Sequence, residues 1–120
     1  MTESLSEARL AARTAADKQA ENVVVLDVGE QIAITDYFVI CSGSSERQVK
    51  TIAEEVEGAL KAAGRMPGRV EGGTGSRWIL VDYVDFVVHV FHDEERAFYR
   101  LETLWQDAPR VPWDAESEAV

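Results

Sequence analysis

The sequence reads as a single α/β (α+β) domain, a mixed, mostly five-stranded sheet with flanking helices. Three observations lead there. Apolar residues recur at helical spacing in separated segments, and short β-branched runs lie between them. Strands and helices interleave along the chain, which is the pattern of helices packed on a mixed sheet. At 120 residues with 46% hydrophobic content, the chain supports one modest core.

The first helix is expected over residues 4–21. Ser4-Leu5-Ser6-Glu7 has the spacing of a capping box, in which a serine oxygen accepts from a free amide and the glutamate reaches back. Its body is alanine-rich, with high helix propensity and little to bury beyond Leu5 and Leu10, so light packing is expected. Val23 to Val28 is nearly continuous and β-branched, a strand covered on both faces. After a turn at Gly29-Glu30, Asp36 to Cys41 forms its antiparallel partner.

Ser42-Gly43-Ser44-Ser45 breaks that strand, and Ser45 with Gln48 repeats the capping pattern. The helix that follows buries Val49, Ile52, Ala53, Val56 and Leu60 at three- and four-residue spacing and stops at Gly64. Residues 65–77 are glycine-rich and loop-like, with one short edge strand at Arg69-Val70-Glu71. Trp78–Asp82 and Phe86–Phe91 are strands joined by a tight turn at Tyr83-Val84-Asp85. Asp93 is placed to cap a last helix burying Ala97, Phe98, Leu101, Leu104 and Trp105, ended by Asp107-Ala108-Pro109. The domain is therefore drawn at residues 1–109, with 110–120 an acidic, disordered tail.

Composition narrows the function classes. Twelve basic against 22 acidic side chains leave a net charge of −10, which argues against a sequence-tolerant grip on nucleic-acid phosphates. Such acidity suits a basic protein partner, although it also serves solubility alone. Cys41 is the only cysteine, so no intramolecular disulfide forms and a reducing compartment fits. The absence of a long apolar run or a signal-like start leads to the expectation of a cytoplasmic protein without membrane contact.

No catalytic constellation stands out, and neither a metal nor a cofactor is expected. The Ser42–Ser45 turn sits where free amides cradle phosphates, as in nucleotidyltransferases, but such enzymes also need paired carboxylates. Asp82 and Asp85 are the closest pair on the following strands. An odd separation of three points them to opposite faces. His89 and His92 have no further histidine or second cysteine to complete a zinc set, and Cys41 has no basic neighbour in sequence.

A binding face is the better candidate. Strand alternation puts Trp78, Leu80 and Asp82 on one side and Ile79, Val81 and Tyr83 on the other. Tryptophan and tyrosine beside a carboxylate are residue types that dominate protein interfaces. The same Trp78 equally suits a core under a neighbouring helix, and local sequence does not separate the two.

Several segments together resemble the Iojap-like ribosomal silencing factors. Val23–Val28, Thr35–Ser45 and Arg47-Gln48-Val49 resemble the family's first half. Glu71-Gly72, Trp78–Tyr83, Val87–Phe91 and Arg96–Trp105 resemble the second, in the same order and spacing. The resemblance implies a nucleotidyltransferase-like fold without that activity and binding to the large ribosomal subunit through its protein fourteen. It further implies a block on subunit joining when nutrients are scarce, and commonly a homodimer. Assembly of the large subunit is the alternative role, with a phosphate-binding enzyme a more remote one. Carried onto this chain, Trp78 and Tyr83 become apolar anchors, Asp82 and Asp85 face basic side chains of the partner, and Leu80 and His89 are second-line candidates for the contact. One departure is Val84, where the family's turn frequently has glycine; a β-branched residue disfavours positive φ, so another turn geometry is expected here.

Overall fold

The computed structural model describes residues 2–99 and 105–113. The chain forms α1 (Thr2–Asp17), β1 (Glu21–Asp27), β2 (Tyr37–Gly43), α2 (Glu46–Ala62), β3 (Arg69–Glu71), β4 (Trp78–Asp82), β5 (Phe86–His92) and α3 (Asp93–Tyr99). The five strands make one mixed sheet in the order β1-β2-β5-β4-β3. The β2–β5 pair is parallel, and the pairs β1–β2, β3–β4 and β4–β5 are antiparallel. The expected fold class and the antiparallel β1–β2 pair are both observed.

Helices α1 and α2 lie on one face of the sheet. There Val49, Ile52, Val56 and Leu60 of α2 meet Val39 and Cys41 of β2, Ile79 and Val81 of β4, and Phe86, Val88 and Val90 of β5 in one buried cluster. The α2 boundaries follow from its caps. The Ser45 hydroxyl accepts from the Gln48 N–H at 3.1 Å, and Gly64, at φ +90°, ends the helix where a side chain would be strained.

The alanines of α1 correct the expectation of light packing. Ala8, Ala11, Ala12 and Ala15 are fully buried against α2 and the sheet. Small side chains allow close approach, so this helix is tightly packed because of its alanines. Its start is also earlier than expected: Ser4 lies inside the helix and is buried, and therefore is not the N-cap.

At the other end of the chain, the side chain that caps α3 is His92, whose Nδ1 accepts from the Glu94 N–H at 3.2 Å. Asp93 is the first helical residue, which corrects its role as cap. The buried face is also shifted. Arg96 is buried, with its guanidinium 3.3 Å from the Glu21 carbonyl oxygen, and Ala97 is exposed. Leu101, Leu104 and the Phe98 side chain lie outside the described residues.

Residues 110–113 are not a disordered tail. The Asp27 N–H donates to Pro109 O at 2.9 Å, and the Val111 N–H donates to Val25 O at 2.8 Å. The Trp113 indole N–H reaches Val23 O at 3.0 Å. Strand β1 is a sheet edge whose unpaired groups require partners, and this segment supplies them. The domain therefore extends at least to Trp113; residues 114–120 lie outside the described residues.

The β4–β5 turn also departs from expectation. Val84 keeps positive φ, at +74°. The Asp85 N–H donates to Tyr83 O at 2.9 Å, and the Val84 N–H donates to the Asp82 carboxylate at 2.8 Å. These two bonds hold a β-branched residue where its backbone is strained. Val84→Gly is accordingly expected to stabilise the fold by about 1 kcal/mol, since relief of strain exceeds the entropy cost of glycine. A urea midpoint that stays level or falls would contradict this.

Candidate protein-docking face

Beyond the β1–β2 end of the sheet, its second face carries, among the described residues, no helix comparable to α1 and α2. On the β1–β2 side it is covered by Ala108 and Trp105, which pack with Leu26, Val28, Ile40 and Phe91. Toward β4 and β3 it opens. The register brings Leu80 opposite His89 and Trp78 opposite Phe91, so alternation presents Trp78, Leu80, Asp82 and His89 on this same face.

A groove of about 330 Å³ runs along it. Its apolar walls include Ile32, Ile34, Phe38, Leu80, Val84 and Val87, and Thr35, Arg69, Asp82 and His89 supply polar groups. Ile34 is 82% exposed and Val84 62%, unusual for large aliphatic residues side by side at a groove rim. The loop bearing Ile34 is tied to the β4–β5 turn by the Asp36 N–H, which donates to Asp85 O at 2.8 Å. The apolar rim therefore stands on two segments bonded to each other.

An array of rings floors the face. Phe38 meets His89 edge-on with centroids 4.9 Å apart, Trp78 lies 4.6 Å from Phe91, and Trp105 meets Phe38 at 5.7 Å. The Trp78 indole N–H donates to His89 Nδ1 at 3.2 Å, which leaves the proton of the neutral imidazole on Nε2. Burial pushes the His89 pKa down from 6.5 to about 4, with Asp82 acting weakly in the other direction.

That shift makes a signed prediction. As pH falls from 6.5 toward 4, the unfolded chain takes up a proton that the folded chain refuses. Stability from His89 is thus complete above the unfolded value and is lost as pH drops through this window, by about 3 kcal/mol. His89→Gln keeps an acceptor for Trp78 and does not titrate, so its urea midpoint should fall much less over the same range. Parallel losses in the two proteins would rule out His89 as the source.

Of the six residues expected to form the site, the structure brings together four. Tyr83 is only 1% exposed, stacked on Phe86 at 4.8 Å within the helix-side core. It follows the alternation of Ile79 and Val81, so its side chain belongs to the opposite face from Trp78. Asp85 is drawn toward the helix layer by Arg65, 3.3 Å away, which also binds Glu7 at 2.7 Å. The expected divergence of Asp82 and Asp85 is therefore observed: Asp82 lines the groove and Asp85 does not. Sequence reasoning missed Ile34, Phe38, Arg69 and Val84; their one visible signal was a pair of isoleucines, Ile32 and Ile34, inside a loop.

The Ser42–Ser45 turn is spent internally. The Gln48 side-chain oxygen accepts from Ser44 N at 2.7 Å and from the Ser44 hydroxyl at 3.0 Å. A Cβ on Gly43 would sit 3.2 Å from that same side chain, so glutamine fills the space a phosphate would need. Cys41 is fully buried, and burial pushes its thiol up to about 12, the opposite of an activated nucleophile. Among the described residues, no three metal-ligating side chains converge and no helix is long and apolar enough to cross a membrane.

Comparison with known proteins identifies the family. The family model described as "Ribosomal silencing factor during starvation" matches residues 1–120. The ribosomal silencing factor RsfS of Halalkalibacterium halodurans is 48% identical over 103 residues, 86% of this chain and 88% of the relative. The mouse protein named "Mitochondrial assembly of ribosomal large subunit protein 1" is 32% identical over 91 residues, 73% of this chain and 40% of the mouse protein. A crystal structure of a Chromobacterium violaceum protein has a TM-score of 0.81 at 32% identity, covering 91% of this chain and 89% of that one. With the family model, the sequence identities and the overall fold in agreement, the chain belongs to the ribosomal silencing factor family.

Proposed function

We propose that this protein represses translation by seating the open face of its sheet on the large ribosomal subunit, through ribosomal protein fourteen, and so blocking union with the small subunit. The observation that carries this is the groove beside Trp78, Leu80 and Asp82, left uncovered by the described residues, an apolar surface with a carboxylate at its rim. Such a surface suits a basic protein carrying an apolar anchor. The family assignment and the large-subunit name of the mouse relative support the choice of particle.

No covalent step is required. A body of 36 × 32 × 28 Å on the face where two subunits meet keeps them apart by volume alone. The effect on joining equals the difference between its affinities for the free and the joined large subunit. The reading places the protein in the cytoplasm, as a homodimer when free. Charge sets its approach: an acidic protein meeting a basic patch associates faster at low salt.

Co-sedimentation with purified large subunits, small subunits and joined ribosomes tests the proposal. Retention by free large subunits alone is expected. Retention by none of the particles, or equal retention by joined ribosomes, would overturn it. The mouse relative's name favours a second role in large-subunit assembly. Depletion that accumulates immature large subunits, with joining otherwise unchanged, would select that role.

A further inference from the structure

Arg69 is the basic side chain of the groove. Strand β3 pairs with β4 so that Arg69 stands opposite Asp82 and Glu71 opposite Leu80. One guanidinium nitrogen lies 3.2 Å from the Glu71 carboxylate and another 3.6 Å from Asp82 Oδ2. The other Asp82 oxygen is occupied by the Val84 N–H. At 3.6 Å the contact with Asp82 is one of charge without a hydrogen bond. The Arg69 side chain is 61% exposed, on a three-residue edge strand whose side chains all face solvent. It neutralises the rim and is free to leave it.

We propose that Arg69 is a built-in competitor: its guanidinium occupies the Asp82–Glu71 carboxylates until a basic side chain of the partner displaces it. This rests on the groove being the docking face. In the free protein Arg69 screens the two carboxylates and lowers their pull on a cation. In the complex the partner's cation takes Asp82, and Arg69 swings outward on its exposed strand. Arg69 thereby sets specificity, because a weakly basic or neutral surface gains nothing by displacing it. Arg65, in the turn between α2 and β3, has no such freedom: it is held by Glu7, Asp85 and the Tyr83 carbonyl.

The test is a titration of purified large subunits with the parent protein, Arg69→Gln and Arg69→Glu at fixed magnesium. Arg69→Gln should bind about three- to ten-fold more tightly at low salt, since it frees two partly screened carboxylates. Arg69→Glu should bind at least as tightly as Arg69→Gln, and both gains should shrink between about 50 and 300 mM KCl. Weaker binding of either variant means that the guanidinium itself touches the partner, and overturns the proposal. Unchanged binding overturns it too. Urea midpoints of both variants guard against loss of fold, and Arg69→Gln, which keeps most of the aliphatic stem, decides the outcome if Arg69→Glu is unstable. Trp78→Ala in the same titration separates the two layers of inference. If it binds as the parent does, the groove is not the docking face; if it loses binding while the Arg69 variants gain none, only the competitor is wrong.

Discussion

Trp78→Ala is expected to weaken retention by large subunits about 30-fold or more, equivalent to roughly 2 kcal/mol or above. The indole is partly buried and, with Glu71, Gly72 and Leu80, lines a second cavity on the same face, so it combines large contact area with a ring already held in place. It stacks near Phe91 and donates to His89, and little rotamer freedom is left to lose on binding. The same contacts mean that the substitution is not silent for folding. It removes the donor to a buried imidazole nitrogen, at a cost of about 1–3 kcal/mol. Two further variants keep the result readable. Trp78→Phe retains a ring against Phe91, and Leu80→Asp places a charge in the groove without touching the helix-side core. Both should fold, and Leu80→Asp should lose retention. A folded Leu80→Asp protein that sediments with large subunits like the parent would remove the groove from the interface.

Tyr83→Ala is expected to cost about 3–5 kcal/mol of stability, which unfolds much of a domain this small. Its ring is stacked on Phe86 and enclosed by the helix layer, so truncation leaves a cavity in the core. Tyr83→Phe should behave in the opposite way. The hydroxyl is buried with no hydrogen-bond partner among the described residues, and burial pushes its pKa up to about 12. Removing it costs nothing in bonding and is expected to leave stability equal or up to about 1 kcal/mol higher. Retention by large subunits should be unchanged. A folded Tyr83→Phe protein that lost retention would mean that the hydroxyl reaches the partner and would return Tyr83 to the interface.

These two aromatics show where sequence reading succeeds and fails. Five residues apart, they lie on opposite faces because strand alternation has a period of two, and that much was legible. Which face is covered was not. The apolar anchors inferred from the resemblance included both residues, yet the helix layer encloses Tyr83 and leaves Trp78 on the other face, lining a cavity with Leu80. The same limit applies to Asp85. Its distance from Asp82 foretold divergence, but only Arg65, arriving from the end of α2, decides where its carboxylate goes. Val84 adds a case of local preference overruled. Sterics disfavour positive φ for valine, and the hydrogen bonds of Asp82 and Tyr83 hold it there regardless.

The sequence by itself determined the element order, the α2 caps and core face, the edge position of β3, and the separation of Trp78, Leu80 and Asp82 from Ile79 and Val81. Each follows from local periodicity or from a side chain bonding its own neighbours, interactions that span only a few residues. The tertiary structure alone decided that the alanines of α1 are core, that residues 110–113 close the edge of β1, and that Ile34, Val84 and Arg69 meet at one groove. Those outcomes depend on which distant segment arrives to bury a surface or satisfy a backbone group. Burial is a property of the assembled layers, and no stretch of sequence carries it alone.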